Sequence, residues 1–253
     1  MGRQLETEIK QIIKNEMAAL NRPDLFRLPL VSFSDAGDKR YSELKEIIGE
    51  WHLSPFELLP DAGSVISYFV PFTEAVVSEP KKVKDGSVLW AEAYEVINGH
   101  FGRINEALSE YLTGLGYSAK TIPATHTYDP KDMKCKWSHR SAAAISGLGT
   151  FGINRLLITE KGSGGRFCSV ITSAPLKAEQ NFAQVKCLET AGKSCGLCHK
   201  ICPARAFAGE DIDKFACYAE LTKNRNELMS KTALNSVDVC GQCISICPYA
   251  YIE

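Results

Sequence analysis

At 253 residues, with 45% hydrophobic and 23% charged residues and a formal net charge of −1, the chain has the composition of a globular protein. This balance gives no general attraction to nucleic acid or to an anionic membrane. No apolar run reaches the roughly 18 residues that span a bilayer, and the charged start lacks the apolar core of a secretory signal. We therefore expect a cytoplasmic protein whose ten cysteines serve metal or redox chemistry rather than disulfides.

The first 173 residues mix helical and strand patterns. Apolar residues at helical spacing predict helices over residues 5–20, 41–50 and 89–112. Apolar runs rich in β-branched and aromatic residues predict strands over residues 28–33, 64–70 and 117–122. This order predicts an α/β or α+β layer fold.

A glycine run, Gly162-Ser-Gly-Gly165, separates two further predicted strands, residues 155–159 and 166–173. We predict that these two strands form a β-hairpin. The run is also a conceivable phosphate cradle, but it precedes a strand rather than a helix and lacks a Lys-Ser/Thr signature.

The segment from Lys136 to Asn154 combines a helix signal with several glycines. Ser138 is placed to cap a short helix that runs through Ile145, and Gly147 to end that helix in a left-handed turn. Residues 123–136 before it predict an irregular loop, of a length that is uncommon unless the loop is functional or mobile.

Eight of the ten cysteines lie in the last 73 residues, which we predict to be a second domain. The predicted domains are residues 1–180 and residues 181–253. The second contains the pattern C-x2-C-x3-C-P twice, at Cys195–Pro203 and Cys240–Pro248. The bacterial ferredoxin run, C-x2-C-x2-C-x3-C-P, has one more cysteine at its start. Gly192 and Val237 occupy that position here.

Cys187 and Cys217 are the evident substitutes, each supplied from farther upstream. In the ferredoxin run the last cysteine binds the other cluster. With that exchange, the eight cysteines form two [4Fe–4S] ligand sets without remainder: Cys187, Cys195, Cys198 and Cys247 for cluster I, and Cys202, Cys217, Cys240 and Cys243 for cluster II.

Zinc is the alternative, because pairs of C-x2-C also build zinc ribbons. The two C-x3-C-P continuations and the total of eight cysteines favour iron–sulfur clusters. Cys168 alternates with apolar neighbours, so we expect it in the core, and Cys135 lies in the long loop. Two adjacent clusters pass single electrons, so the first domain is expected to use them.

The cysteine segment, the Gly147-Leu-Gly149-x-x-Gly152-x-Asn154 stretch and the strand Ala62-Gly-Ser-Val-Ile-Ser-Tyr-Phe-Val-Pro-Phe72 together resemble the epoxyqueuosine reductase family. These are cobalamin-dependent iron–sulfur enzymes related to the reductive dehalogenases. The resemblance implies an α/β domain distantly similar to nitroreductases, followed by a ferredoxin-like module. It also implies that one cluster lies close to the corrin.

The resemblance suggests further site residues. The glycines let backbone approach a flat ligand closely. The candidate corrin pocket consists of His139, Arg140, Gly147, Gly149, Gly152 and Asn154. His139 is open to three interpretations: a cobalt ligand, a proton donor or a structural helix residue.

Two features depart from the family pattern. Family members that form queuosine have an aspartate proton donor upstream of the glycine stretch. Its counted position is Met133, with Asp132 beside it as the candidate catalytic residue. Such members also commonly continue into a helical-repeat domain that helps to hold tRNA, and this chain stops five residues after Pro248. Both departures argue against tRNA as the substrate.

Three functions follow as hypotheses. The first is a reductase that passes electrons from reduced ferredoxin or flavodoxin through two clusters to a corrinoid or a small-molecule substrate. The second is a non-enzymatic electron-transfer protein that reduces a partner such as a corrinoid protein. The third is a true epoxyqueuosine reductase.

Overall fold

The computed structural model describes residues 2–124, 128–129, 131–179, 185–209 and 211–253. The helices are α1 (Gly2–Leu20), α2 (Arg40–Ile48), α3 (Pro55–Leu58), α4 (Glu74–Ser78), α5 (Val88–Gly114), α6 (His139–Ile145), α7 (Leu197–Ile201), α8 (Lys214–Lys231) and α9 (Gln242–Ser245). The strands are β1 (Leu30–Asp35), β2 (Ser64–Pro71), β3 (Ala119–Thr121), β4 (Tyr128–Asp129), β5 (Lys134–Cys135), β6 (Gly149–Phe151), β7 (Leu157–Thr159) and β8 (Gly165–Thr172). A 3₁₀ turn spans Pro80–Lys82.

The main sheet of the described chain is antiparallel, in the order β1-β2-β8-β3. β2 and β8 pair along their full lengths, from Ser64 opposite Thr172 to Pro71 opposite Gly165. Every residue of β2 is buried, which explains why its sequence is apolar almost throughout instead of alternating. The predicted strands at 28–33, 64–70 and 117–122 are confirmed in outline by β1, β2 and β3.

Helices cover both faces of this sheet. α1 and α5 pack on one face through residues such as Ile13, Ile97 and Ile104, which share a core with Tyr68 and Cys168. α2 and α6 pack on the other face with residues that share a second core: Tyr41, Leu44, Ala142, Ile145, Val65 and Ile171. The result is a three-layer mixed α/β fold, and Cys168 is fully buried in it as predicted.

The predicted hairpin of residues 155–173 is wrong. β7 pairs with β6 instead, because the chain turns tightly at Gly152–Arg155, where Arg155 N–H donates to the Gly152 carbonyl across 2.9 Å. β8 pairs with β2 and β3. In the glycine run between the strands, the amides of Ser163 and Gly164 donate to the carbonyls of Tyr249 and Ala250. Chain packing therefore accounts for these glycines without a phosphate.

The cysteine-rich segment packs into the same core as α5. Leu228, Val237, Val239 and Ala250 belong to the cluster that contains Trp90. The predicted domain boundary at 180/181 lies outside the described residues. None of the helices in the described part of the chain is long and apolar enough to cross a membrane.

Candidate metal centre

Four cysteines line one open cleft. Cys187, Cys195 and Cys198 come from the first repeat and its upstream segment, and Cys247 comes from the end of the second repeat. The structure thus brings together the four residues that we assigned to cluster I. Among the described residues, no three His, Cys, Asp or Glu side chains converge closely enough to hold a single metal ion, so the thiols line a cavity rather than meet at a point.

The two repeats share one local geometry that the sequence analysis missed. Gly196 and Gly241 directly follow the first cysteine of each repeat and adopt left-handed backbone angles, with φ of 61° and 75°. Each glycine begins a short helix, α7 or α9, that carries the second cysteine. A Cβ at Gly241 would lie 2.8 Å from the Trp90 ring, so glycine is required there for packing as well. The Cys-Gly pair in both repeats was the available signal.

The second set of cysteines surrounds α9 and the start of α8. Loss of hydration is the largest cause that raises the pKa of Cys240 to about 11 and the pKa of Cys243 further. The thiols of Cys202 and Cys217 contribute to both shifts, so the four residues assigned to cluster II act on one another. Cys198 also contributes to the shift of Cys243, and the two cysteine sets are therefore adjacent.

Burial acts in the same direction in the first cleft, where it raises the pKa of Cys198 to about 11. Without metal, these buried thiols hold their protons at neutral pH, and metal binding must release them. Two backbone amides already point at sulfur: Ala206 N–H at Cys202 and Tyr249 N–H at Cys247, each across 3.4 Å. Such hydrogen bonds raise the reduction potential of an iron–sulfur cluster.

The predicted glycine stretch lies between the α/β layers and the cysteines. Gly152 and Asn154 line the first cleft, and the Asn154 amide donates to the Cys243 carbonyl across 3.2 Å. Gly147 has a φ of 81° and ends α6 in a Schellman turn, in which Leu148 N–H donates to the Ala143 carbonyl. The predicted helix from Ser138 to Ile145 and its left-handed end are confirmed.

Gly149 has a packing reason of its own. A Cβ there would lie 2.5 Å from the Ile158 carbonyl oxygen across the β6–β7 pair. Helix capping, strand packing and contact with the cysteines therefore account for Gly147, Gly149, Gly152 and Asn154 without a corrin.

His139 uses both ring nitrogens inside the protein. Nε2 lies 3.1 Å from the Pro123 carbonyl, which only accepts, so Nε2 carries the proton. Burial lowers the His139 pKa to about 4, so the ring is neutral and Nδ1 accepts from Ser169 Oγ across 2.7 Å. Ser169 Oγ in turn accepts from the Trp137 indole across 2.9 Å. These contacts leave no ring nitrogen for a cobalt ion, which favours the structural interpretation.

Arg140 faces the second cysteine set. Its side chain is accessible to solvent and donates to the Arg155 carbonyl across 3.1 Å. The neighbouring Arg166 charge repels it, while the thiols of Cys135, Cys243 and Cys217 favour its charged form. A fixed positive charge therefore adjoins the assigned cluster II ligands.

The β4–β5 hairpin brings the candidate catalytic residue to the same side. Tyr128 at its base contacts Tyr218 edge-to-face at 5.8 Å, and Tyr218 directly follows Cys217. Asp132 lies at the exposed tip, 3.0 Å from Lys134 Nζ, and the hydrogen bond from Lys134 lowers the Asp132 pKa. Sequence reasoning did not single out Tyr128, Tyr218 or Arg166, although Tyr218 is marked by its position beside a cysteine.

Residues 192–250 match the family described as the 4Fe-4S double cluster binding domain. Fold and site thus define a mixed α/β protein that contains a double-cluster iron–sulfur domain. Its structural neighbours are epoxyqueuosine reductases and reductive dehalogenases, so the resemblance inferred from the sequence is confirmed in the fold.

The Streptococcus thermophilus epoxyqueuosine reductase is 17% identical, with a TM-score of 0.58, and the alignment covers 99% of this chain and 66% of that one. The Bacillus subtilis enzyme is also 17% identical, with a TM-score of 0.57, and the alignment covers 96% of this chain and 66% of that one. A reductive dehalogenase described in terms of B12-dependent dehalogenation is 15% identical, with a TM-score of 0.60. That alignment covers 88% of this chain and 30% of the dehalogenase. The chain thus spans just under two thirds of the epoxyqueuosine reductases. The sequence matched none of the curated proteins.

Proposed function

We propose that the protein is a cytoplasmic iron–sulfur oxidoreductase that holds two [4Fe–4S] clusters and delivers electrons to a corrinoid or a bound substrate beside Arg140. Cluster I would be held by Cys187, Cys195, Cys198 and Cys247, and cluster II by Cys202, Cys217, Cys240 and Cys243. The clusters supply single-electron transfer. The domain division of residues 1–180 and 181–253, and the distant likeness of the first to nitroreductases, belong to the same proposal.

The observation that best supports this proposal is the position of Cys247. It lies in one cleft with three cysteines that precede it by about 50 residues or more, as the ferredoxin exchange of ligands requires. The residues fit a cluster, because four thiols face one cavity and a backbone amide donates to one of the sulfurs.

Cobalamin is the proposed second cofactor, and the support is narrower. It consists of the shared fold with a B12-dependent dehalogenase and the accessible Arg140 beside the cluster II cysteines. Arg140 would contribute a cation to the corrin side chains, and no His139 nitrogen would be available below the cobalt. The bound cobalt would supply the reducing centre for the substrate.

Asp132 is proposed as the proton donor to the substrate. One solved Bacillus subtilis enzyme has its catalytic aspartate loop swung out of the active site. Asp132 lies on an exposed hairpin tip and is held ionised by Lys134, so it would act only after the hairpin moves and that ion pair breaks.

Modified tRNA remains the least favoured substrate. Restoration of queuosine in cells that lack the normal enzyme would test it.

The first experiment counts iron and sulfide after anaerobic purification. We expect about eight of each per chain from two four-iron clusters. Cys247→Ser should lose the cluster formed mainly by the first repeat and retain the other. Cys135→Ser is the matched control and should retain both. Retention of both clusters by Cys247→Ser would contradict the exchanged ligand assignment.

A second candidate is an electron-transfer protein that reduces a partner's corrinoid. The packing contacts that account for Gly147, Gly149, Gly152 and Asn154 without a corrin favour it. Equilibrium dialysis of the iron-loaded protein against cobalamin separates the two candidates. Tight, stoichiometric binding that Arg140→Met weakens would support the enzyme. No binding, together with stoichiometric capture of a corrinoid protein, would support the carrier.

A further inference from the structure

The chain segments that line the cleft of Cys187, Cys195, Cys198 and Cys247 also carry exposed apolar and basic side chains. Leu197 lines the cleft and is 38% exposed, and Phe151, next to the cleft residue Gly152, is 40% exposed. Thr150 Oγ donates to the Val185 carbonyl across 2.6 Å and so fixes this strand against the segment that leads to Cys187. We name these exposed residues beside the cleft segments the entry face: Phe151, Lys186, Lys193, Leu197 and Lys200.

The charge of the entry face comes from three lysines. Lys186, Lys193 and Lys200 are exposed and form no ion pair within the described residues. The nearby carboxylate, Glu189, already accepts a hydrogen bond from the Cys195 amide at the cleft. An apolar centre with a charged rim is typical of a transient protein interface, and positive charge selects an acidic partner.

The second cysteine set, rather than the first, lies beside the candidate substrate side. Arg140 acts on Cys217 and Cys243, and the β4–β5 hairpin contacts Tyr218. An electron that enters through the first cleft would therefore meet the second cysteine set before it reaches the candidate substrate side. The first cleft is the outer end of this route.

We propose that the entry face docks an acidic, low-potential one-electron carrier protein. One electron leaves the reduced carrier, which is oxidised by one electron, and the centre held in the first cleft is reduced by one. The inference rests on the proposed function, because it requires clusters in both cysteine sets.

A second basic surface provides the matched control. Lys81, Lys82 and Lys84 are exposed on the loop that covers α9, where Gln242 Nε2 donates to the Val83 carbonyl across 3.1 Å. This loop covers the second cysteine set rather than opening onto it, and Lys82 is paired with Glu79 at 2.9 Å. It carries the same number of lysines as the entry face.

The experiment uses the iron-loaded full chain and reduced flavodoxin, a strongly acidic carrier. Stopped-flow measurements give the bimolecular rate of cluster reduction at low and physiological ionic strength, and titration with oxidised flavodoxin gives the affinity. The variants are Lys186→Glu/Lys193→Glu/Lys200→Glu and Lys81→Glu/Lys82→Glu/Lys84→Glu. We expect the first to lower the rate at least about tenfold and to weaken binding, with most of the ionic-strength dependence lost. The second should stay within about twofold of the unsubstituted protein.

Two further measurements separate the possible failures. Iron content and reduction by dithionite, a small reductant, should be unchanged in both variants, and absence of clusters in the unsubstituted protein would overturn the proposed function itself. If the entry-face variant loses iron, the milder Lys→Gln triple replaces it, with a smaller loss expected. An unimpaired entry-face variant, a larger loss in the control, or no reaction of the unsubstituted protein with flavodoxin would overturn the entry face.

Discussion

The side-chain amide of Asn154 donates a hydrogen bond to the backbone carbonyl of Cys243 across 3.2 Å. The oxygen of the same side chain accepts from Leu156 N–H, also across 3.2 Å, and so shapes the β6–β7 turn. Asn154 also lines the first cleft, so one buried side chain borders the first cysteine set and joins the second to the α/β layers.

Replacement of Asn154 should destabilise the protein and disturb the cysteine sites. Asn154→Ala leaves the Leu156 amide and the Cys243 carbonyl without their partner, and we expect a loss of about 1 to 2 kcal/mol in the free energy of unfolding. Asn154→Asp keeps the acceptor but brings a carboxylate against the Cys243 carbonyl, so it should retain less iron than Asn154→Ala. Denaturant unfolding and iron analysis measure both effects. Equal iron retention in the two variants would count against this role of the amide.

Two glycine substitutions should change stability in opposite directions. Gly149→Ala places a Cβ 2.5 Å from the Ile158 carbonyl and should cost about 2 to 4 kcal/mol. Gly102→Ala lies in the middle of α5, where an added Cβ meets nothing within 4 Å, and should stabilise by about 0.5 to 1 kcal/mol. Thermal unfolding of both variants tests the pair. A tolerated Gly149→Ala would contradict the packing explanation for this glycine.

His139 should make the fold sensitive to mild acid. Burial lowers its pKa from 6.5 to about 4, so between these values the unfolded chain binds a proton that the folded protein excludes. The stabilising contribution is therefore present above pH 6.5 and is lost as the pH falls towards 4, with a size of at most about 3 kcal/mol. Urea unfolding across this range measures it.

His139→Gln is the control for the acid effect. Glutamine can still donate to the Pro123 carbonyl but does not titrate, so the difference between the two proteins isolates the histidine. His52, whose pKa is also lowered by burial, is present in both and cancels. Identical pH profiles would contradict the assigned neutral ring.

Arg140 should raise the reduction potential of the proposed cluster II, which we assigned to Cys202, Cys217, Cys240 and Cys243. Reduction adds negative charge, which a nearby guanidinium stabilises. Arg140→Met should therefore lower this potential, by on the order of 40 mV. Arg140→Lys keeps the charge and should shift it less. A redox titration followed by electron paramagnetic resonance measures both potentials. A larger shift in cluster I would contradict the inference that Arg140 lies nearer to cluster II.

The parts of the fold that the sequence predicted correctly depend on local patterns. The apolar spacing in α5, the β-branched run in β2 and the Ser138 and Gly147 caps act within a few residues. The hairpin prediction failed because the pairing of these strands depends on residues that lie far away in the sequence. The Ser163 and Gly164 amides are taken by carbonyls about 86 residues away, and β8 pairs with β2 instead.

The candidate site likewise has parts that local sequence patterns predicted and parts that they did not. Cysteine spacing grouped Cys247 with Cys187 because the spacing rule already contains the geometry of a bound cluster. It gave no indication of Arg140 beside Cys217 or of Tyr128 on Tyr218, since those contacts depend on how separate elements pack. The glycine stretch suggested a ligand pocket, but a sequence does not distinguish a glycine kept for a ligand from one kept for a neighbouring carbonyl.

Because the cysteine segment packs into the α5 core, the stability of that core should depend on how well the cysteine site resists oxidation. Val239 lies next to Cys240 and is buried in that core, and Gly241 abuts Trp90. Oxidative loss of the proposed cluster beside it would remove the support for this segment and expose part of the core. Oxidised molecules would then be cut by proteases more rapidly than intact ones, so damaged copies would be cleared as whole chains rather than persist as inactive folded protein.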